Sequence, residues 1–363
     1  MDLGAPTAAK GKNGPKNGPK SGKKTNGGKD AREAYYDKIS KLDMAPLWVV
    51  LKDIIPDEPK TVCAPAIWRF KDVKPLVTEA GSVISPEEAT RRVLVLENPK
   101  LRGQSRITQS LYAGLQLILP GEIAPPHRHS PAAIRFILDG EGAYTQVDGE
   151  KTVMAPGDFV LTPSGTIHDH GNDSKKSMIW LDVLDVPTVN FFETCFYEHF
   201  EYKQQNTRRD NGDSLIRYGS GVLPDGSPHR NSPIVNYPYA RMRPILERLV
   251  AEGDIDPRHG ARFRYANPLT GGPVMPTMGA HLALLPKNFK GKDYQATDST
   301  ILVCVEGEGT TKVGGQTLEW GPRDVFVVPS WMKHSHHAKK ESVLFSISDR
   351  PAQEALGIWR EKA

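Results

Sequence analysis

Cysteine is scarce in this sequence. Cys63, Cys195 and Cys304 are scattered over 363 residues, with neither the even count nor the spacing of a disulfide framework, which excludes a small disulfide-stapled secreted fold and predicts free, mostly buried thiols. Long apolar runs are missing as well. Nowhere do about eighteen apolar residues follow one another, and the N-terminus has no apolar stretch of the kind a secretory signal needs. The expected compartment is the cytoplasm, with no membrane partner. Nor is the charge strongly one-sided: the formal net charge is +4, and much of the lysine is confined to residues 1–29. That Gly, Pro, Asn and Lys segment has almost nothing apolar to set against its ordering entropy, so residues 1–30 are expected to form a disordered basic tail. It lacks aromatic interleaving and any folded binding motif, so nucleic acid is not expected as a partner.

What is present is core material and turn punctuation. With 38% apolar and 25% charged residues, the chain has the composition of a globular protein long enough for two domains. MAPLWVVLKDII, followed by Pro56, Pro59 and Pro65, predicts a short helical lead-in and then an extended arm. Beyond it, RRVLVLENP, SLYAGLQLILP, AAIRFILDGEGAYTQVDGEKTVMAPGDFVLTP and SMIWLDVLDVP are apolar or alternating runs separated by Gly, Pro and Asp-Gly signals. Many short strands of this kind predict an all-β barrel or jelly roll.

The chain also repeats itself. FILDGEGAYTQVDGEKTVMAPGDFVLTPSGTIHDH, ending at His170, is echoed by VCVEGEGTTKVGGQTLEWGPRDVFVVPSWMKHSH, ending at His336. A Gly-x-Gly turn, two strands, a turn ending in Asp, an apolar strand, Pro-Ser and His-x-His follow in the same order in each, so two like barrels stand in series. We place the first at residues 31–200 and the second at 201–363. Between the copies, RMRPILERLVAEG predicts a helix with Met242, Ile245, Leu246, Leu249 and Val250 on one face, Pro244 near its start and Gly253 at its stop.

The chemistry concentrates in the first copy. Gly121 is followed after five residues by His127-Arg128-His129; Ala133 comes four positions after His129, and after six more residues comes Gly140. Residues two apart in a strand point the same way, so His127 and His129 present two imidazoles to one side of a sheet. A second segment runs from Gly157 through Pro163 and Gly165 to His168 and Asn172, and His168 completes a set of three ligands for a divalent transition metal. His170 shares the strand face of His168 and is expected to be a hydrogen-bonding or proton-handling neighbour rather than a fourth ligand. Arg135 lies an even number of residues from both His127 and His129. An interior guanidinium with no acidic partner nearby in sequence calls for an anion, and a substrate carboxylate is the natural one; a salt bridge to a distant acid such as Asp182 is the plain alternative.

These two spacings match both signature motifs of the cupin superfamily, and the chain resembles the bicupin ring-cleaving dioxygenases of gentisate, salicylate and 1-hydroxy-2-naphthoate. The resemblance runs over roughly residues 40 to 350 and is carried above all by HRHSPAAIRF and TIHDHGN. It implies an all-β fold of two tandem jelly-roll cupin domains with a few short helices, and an Fe(II) cofactor held by His127, His129 and His168. It further implies a small hydroxylated aromatic acid and O2 as reactants, ring cleavage between the carboxylate- and hydroxyl-bearing carbons, and a homotetramer. Where many metal-binding cupins carry a glutamate, this chain has Ala133; a three-histidine site keeps the full metal charge and more open positions, which suits a chelating anion plus dioxygen. The resemblance also assigns Arg91 and Gln116 to substrate contact, Tyr112 and Gly114 to the pocket wall, and Asp182 to a hydrogen bond with His170. For Arg91, Arg92 is the competitor, since a strand points only one of the two inward. In the second copy Tyr294 and Ala296 stand where His127 and His129 stand in the first. That barrel is expected to be metal-free, with His334, His336 and His337 as surface or packing residues. The alternatives are another metal-dependent cupin enzyme, a decarboxylase or isomerase, and a non-catalytic bicupin that binds a small molecule.

Overall fold

A computed structural model describes residues 27–89, 91–226 and 230–362 of the chain. Most of the basic tail expected at residues 1–30 lies outside the described residues. Residues up to Glu58 and the stretch from Pro59 onward form two compact units. The first contains helices Gly27–Ser40 and Leu47–Ile54. The lead-in helix was legible; Gly27–Ser40, which begins inside the span assigned to the tail, was not.

In the second unit, two six-stranded sheets and their smaller partners make two barrels with one topology. In the first barrel, strands Phe159–Thr162, Ala133–Asp139, Met178–Leu184 and Tyr112–Ile118 lie side by side in antiparallel order. In the second, Val325–Val328, Thr300–Glu306, Ser342–Ser348 and Gly279–Leu285 repeat that order. The fold is all-β with short helices, as expected.

Each large sheet takes its edge strand from outside its own repeat. Asn236–Tyr237 pairs with Phe159 and Val160 of the first barrel, while Ala66–Trp68 pairs with Val325–Val327 of the second. The aspartate that ends the matching turn of each copy, Ala-Pro-Gly-Asp158 in the first and Gly-Pro-Arg-Asp324 in the second, fastens the borrowed strand. Asp158 accepts from the N–H groups of Ala155 and Tyr239, both at 3.0 Å. Asp324 accepts from Gly321 at 3.0 Å and Phe70 at 2.8 Å. The intervening segment also stays on the first barrel, since Glu150 takes both the backbone N–H (3.1 Å) and the hydroxyl (2.9 Å) of Ser214.

The repeated Gly-x-Gly has a steric cause. Gly140 and Gly307 sit at φ +88° and +79°, and a Cβ on either would fall 2.1 Å from the Ser177 carbonyl oxygen or 2.3 Å from Ser342 Oγ. No L side chain fits there without moving the neighbouring strand.

Alternation along each strand separates two environments. One face of each large sheet packs against the other barrel, with Phe136 and Phe345 stacked at 4.1 Å between centroids; full burial of each ring contributes about 1.5–3 kcal/mol. The other face lines the barrel interior, where Ile137, Val160, Met178 and Trp180 form an apolar floor in the first. Tyr239–Glu252 is the predicted connecting helix, ended by Gly253 at φ +78°. Leu246 is buried and Met242, Leu249 and Val250 pack on the core, but Ile245 is exposed and does not share their face. Helix Phe70–Val83, with Pro75 inside it, went unpredicted. All three cysteines are free; Cys63 and Cys304 are buried, whereas Cys195 is exposed.

Candidate metal centre

Strand Ile123–His129 carries His127 and His129, and His168 begins the neighbouring strand His168–Asn172, directly across from His127. All three imidazoles are buried, and their ligand atoms lie within 4.8 Å of one another. Each ring has its Nδ1 against a backbone carbonyl: Pro125 for His127 (3.0 Å), Pro131 for His129 (2.7 Å), Thr166 for His168 (3.0 Å). A carbonyl only accepts, so these contacts place the proton on Nδ1 and leave Nε2 as a lone pair. The Nε2 atoms of His127 and His168 are buried with no hydrogen-bond partner. Burial, reinforced by the nearby arginines, holds His127 down at about 2 and His129 at about 4, with His168 well below the ordinary imidazole range. Three neutral imidazoles with orphaned, converging lone pairs fit a divalent metal. Among the described residues no carboxylate joins the group, which accords with alanine at 133.

Arg135 corrects one expectation. Its Nε lies 3.1 Å from Asp182 Oδ1, both side chains almost wholly buried, because Asp182 is its cross-strand partner on Met178–Leu184. The acid missing along the sequence is supplied by the sheet. The two atoms lack the alignment of a hydrogen bond, so the contact is a charge pair. Arg135 also donates to Thr162 and approaches His170 Nε2 at 3.2 Å. Asp182 in turn takes the indole N–H of Trp180 at 3.0 Å, and the expected bond from Asp182 to His170 is absent. His170 is held instead by Thr145 Oγ1 at 2.9 Å and by Arg135.

Of the arginine doublet, Arg91 turns toward the imidazoles, close enough to contribute to their lowered values. Arg92 turns away to Glu122 at 2.6 Å and the Ile84 carbonyl at 2.7 Å. Gln116 is buried opposite Trp180, and Gly114 lies opposite Asp182. A Cβ at Gly114 would meet Val93 Cγ1 at 2.5 Å and the Tyr112 hydroxyl at 2.8 Å, so the glycine makes room for that tyrosine.

Sequence reasoning missed Tyr197. Its strand, Tyr197–His199, pairs across His127–His129; its ring stacks on His127 at 5.3 Å and its hydroxyl accepts from Arg91 at 3.1 Å. A three-residue strand offers too little alternation to be noticed. Thr162, the polar end of an otherwise apolar strand, could have been found by the same parity that selected Arg135.

In the second barrel Tyr294 pairs with His334 as His127 pairs with His168, so the predicted replacement is where it was placed. Of the two readings of His334 and His336, surface or packing, the interior one applies: both line a cavity.

The Cupin domain family model matches residues 114–184 and 282–347, one span per barrel. The chain is 51% identical over 332 residues to gentisate 1,2-dioxygenase 1 of Aquipseudomonas alcaligenes, covering 91% of this chain and 96% of that one. It is 37% identical to 5-aminosalicylate 1,2-dioxygenase of a Comamonas species, covering 91% and 90%. The crystal structure of salicylate 1,2-dioxygenase from Pseudoaminobacter salicylatoxidans with gentisate superposes with a TM-score of 0.88 at 32% identity, over 94% and 95% of the two chains. The same tandem barrels, an intact three-histidine group in the first and this similarity along nearly the whole length place the chain in the bicupin family of gentisate, salicylate and 1-hydroxy-2-naphthoate 1,2-dioxygenases, as a ring-cleaving dioxygenase of aromatic acids.

Proposed function

We propose that the metal is Fe(II), held by His127, His129 and His168, and that the substrate is a benzoate bearing a hydroxyl beside its carboxylate, gentisate or a salicylate. Iron bound there would supply the redox chemistry that joins both atoms of O2 to the ring carbons on either side of the cleaved bond. The observation that carries the reading is the charge count around the imidazoles: Arg91 and Arg135 face them with one carboxylate, Asp182, between them. One guanidinium charge is left for an anion.

Arg91 is the freer of the two, with a buried Nε that has no partner and a single hydrogen bond to Tyr197. In this reading Arg91 receives the substrate carboxylate and Tyr197 sets its fork. Arg135, fixed by Asp182 and Thr162, presents positive charge behind His170 and keeps that imidazole neutral; with Nε2 accepting from Arg135 and Nδ1 on Thr145, His170 in turn holds the guanidinium in place beside the metal ligands. Gln116 contributes an amide to the same space, while Tyr112 and Gly114 shape the wall beside the ring. A decarboxylase or isomerase of the glutamate-bearing kind is disfavoured by Ala133, and a non-catalytic bicupin by the complete imidazole set.

Homotetrameric assembly in the cytoplasm belongs to the same proposal. Helix Leu47–Ile54 buries none of its residues within the chain although Leu47, Trp48, Val49, Leu51 and Ile54 are large and apolar, which supports a partner copy. No described helix is long and apolar enough to cross a membrane. The deciding experiment is metal analysis of the purified protein together with oxygen uptake on gentisate, salicylate and 5-substituted salicylates. Iron near one per chain with kcat/KM highest for one of these acids is expected; a metal other than iron supporting turnover, or no uptake with any of them, overturns the assignment.

A further inference from the structure

The second barrel repeats the first strand for strand but changes the residues that face inward. Leu302 pairs with Ser346 in the register in which Arg135 pairs with Asp182, so the buried ion pair is gone. His336 keeps the threonine contact of His170, with Thr311 Oγ1 at 2.8 Å, which marks that contact as a property of the fold. A cation enters from another strand. Arg262, on Ala261–Arg264 and opposite Ala283, lines a cavity of about 60 Å³ with His259, His281, His334, His336 and Tyr294.

The other charged groups at this cavity already have partners. Arg350 donates to Glu354 at 2.7 Å and lies over the Trp359 ring at 3.8 Å; Asp298 accepts the Trp359 indole N–H at 2.9 Å; the Tyr294 hydroxyl donates to Glu361 at 2.9 Å. Among the described residues Arg262 has no ion pair and no side-chain hydrogen bond, and Asp298, the acid that influences it most, is too far for an ion pair. Arg262 is half-buried, and a guanidinium drawn partly out of water without a partner is destabilised unless an anion joins it.

The surroundings favour an anion over a metal. The histidines are neutral, held below the ordinary imidazole range by burial, and add no competing charge. They are not gathered as a ligand set, since the metal-competent group among the described residues is that of the first barrel. Thr300, Ser346 and Ser348 add hydroxyls to the wall. His334 gives its N–H to the Met332 carbonyl at 3.2 Å, so the donors are the planar fork of Arg262 and the wall hydroxyls, a set that suits a carboxylate, which the fork can bind through two parallel bonds. At roughly 10–15 Å³ per water-sized group, this space holds about four to six such groups, too few for an aromatic acid.

We propose that the C-terminal barrel binds a small aliphatic carboxylate of about the size of acetate, with Arg262 as its ion partner. The test is saturation-transfer NMR of acetate with the full-length protein, metal-loaded except in the His168→Ala variant, at constant ionic strength balanced by chloride. The parent, Arg262→Gln, Arg262→Lys and His168→Ala are compared. Arg262→Gln should weaken acetate binding at least about tenfold and leave kcat for ring cleavage unchanged, while Arg262→Lys, which keeps the charge but not the fork, should weaken it about threefold. His168→Ala should bind acetate like the parent, because its defect lies in the other barrel. Acetate binding unaffected by Arg262→Gln, or abolished by His168→Ala, overturns the proposal. So does phosphate binding more tightly than acetate at the same site. If Arg262→Gln does not fold, Arg262→Lys decides: parental affinity in that variant refutes bidentate recognition.

Discussion

Removing Arg135 tests the central ion pair through stability and catalysis separately. The charges lie 3.1 Å apart with side chains 3% and 7% exposed, so at an effective dielectric near 20 their attraction is about 5 kcal/mol. Desolvation of the two ions costs a similar amount, which leaves the intact pair worth little in net terms. The Arg135→Ala variant is different: Asp182 stays behind a closed sheet, its carboxyl already raised by burial and now without the guanidinium that opposed that rise. We expect a loss of about 3–5 kcal/mol, seen as a fall in Tm of roughly 6–15 °C for a unit of this size. Asp182→Ala should lose a similar amount, and the double variant should be more stable than additivity requires by at least about 2 kcal/mol. Denaturation followed by near-ultraviolet circular dichroism gives the cycle. On the folded fraction, kcat for hydroxybenzoates should drop by about 1–3 kcal/mol as positive charge beside the imidazoles is lost, while KM, set by Arg91, changes little. Single variants within about 1 kcal/mol of the parent, or strict additivity, would refute the electrostatic argument; normal turnover by the folded fraction would confine Arg135 to a structural role.

Four further outcomes follow from named contacts. His168→Ala should abolish metal content and turnover together, while His334→Ala leaves both intact; full metal occupancy in the first variant would sink the ligand assignment. Tyr197→Phe removes the hydroxyl that fixes Arg91 and should raise KM about fivefold, or about 1 kcal/mol, with metal content unchanged by elemental analysis. Gly140→Ala places a Cβ 2.1 Å from a carbonyl oxygen at φ +88° and should cost about 2 kcal/mol or more in denaturant titrations. Asp349, pushed up to about 6 by burial, takes up a proton on folding, so its contribution to stability falls as pH rises from about 4 to about 6 and levels off above. Asp349→Asn should flatten that window by up to about 3 kcal/mol; an unchanged stability profile between pH 4 and 6 would contradict it.

The three imidazoles were legible because their recognition needs only local rules: strand parity puts His127 and His129 on one face, and the repeated glycine turns place His168 in register beside them. The connecting helix was legible for the same reason, though parity on a helix is coarser and Ile245 was wrongly included. Arg135 was expected inside, with a substrate carboxylate preferred over a salt bridge to Asp182. It stands on a different strand and sheet from His127 and His129, and that sheet sets it across from Asp182, so the salt bridge forms between residues far apart in the chain. The predicted Asp182–His170 bond failed for the same reason, as the sheet gave that carboxylate to Arg135 and Trp180. Arg91 and Arg92 could not be separated without the strand that starts at Arg92, and Tyr197 had no sequence signal at all.

Sequence alone, then, determined the tandem all-β architecture, the metal triad and the loss of that triad from the second copy, since each is written in spacings of two residues or in a repeated turn. Tertiary structure decided which charges pair, which barrel owns each edge strand, and that Arg262 lies unpaired in the second cavity. Those properties depend on residues far apart in the chain meeting across strands. A pairing register set by the whole sheet, rather than by any local pattern, brings them together.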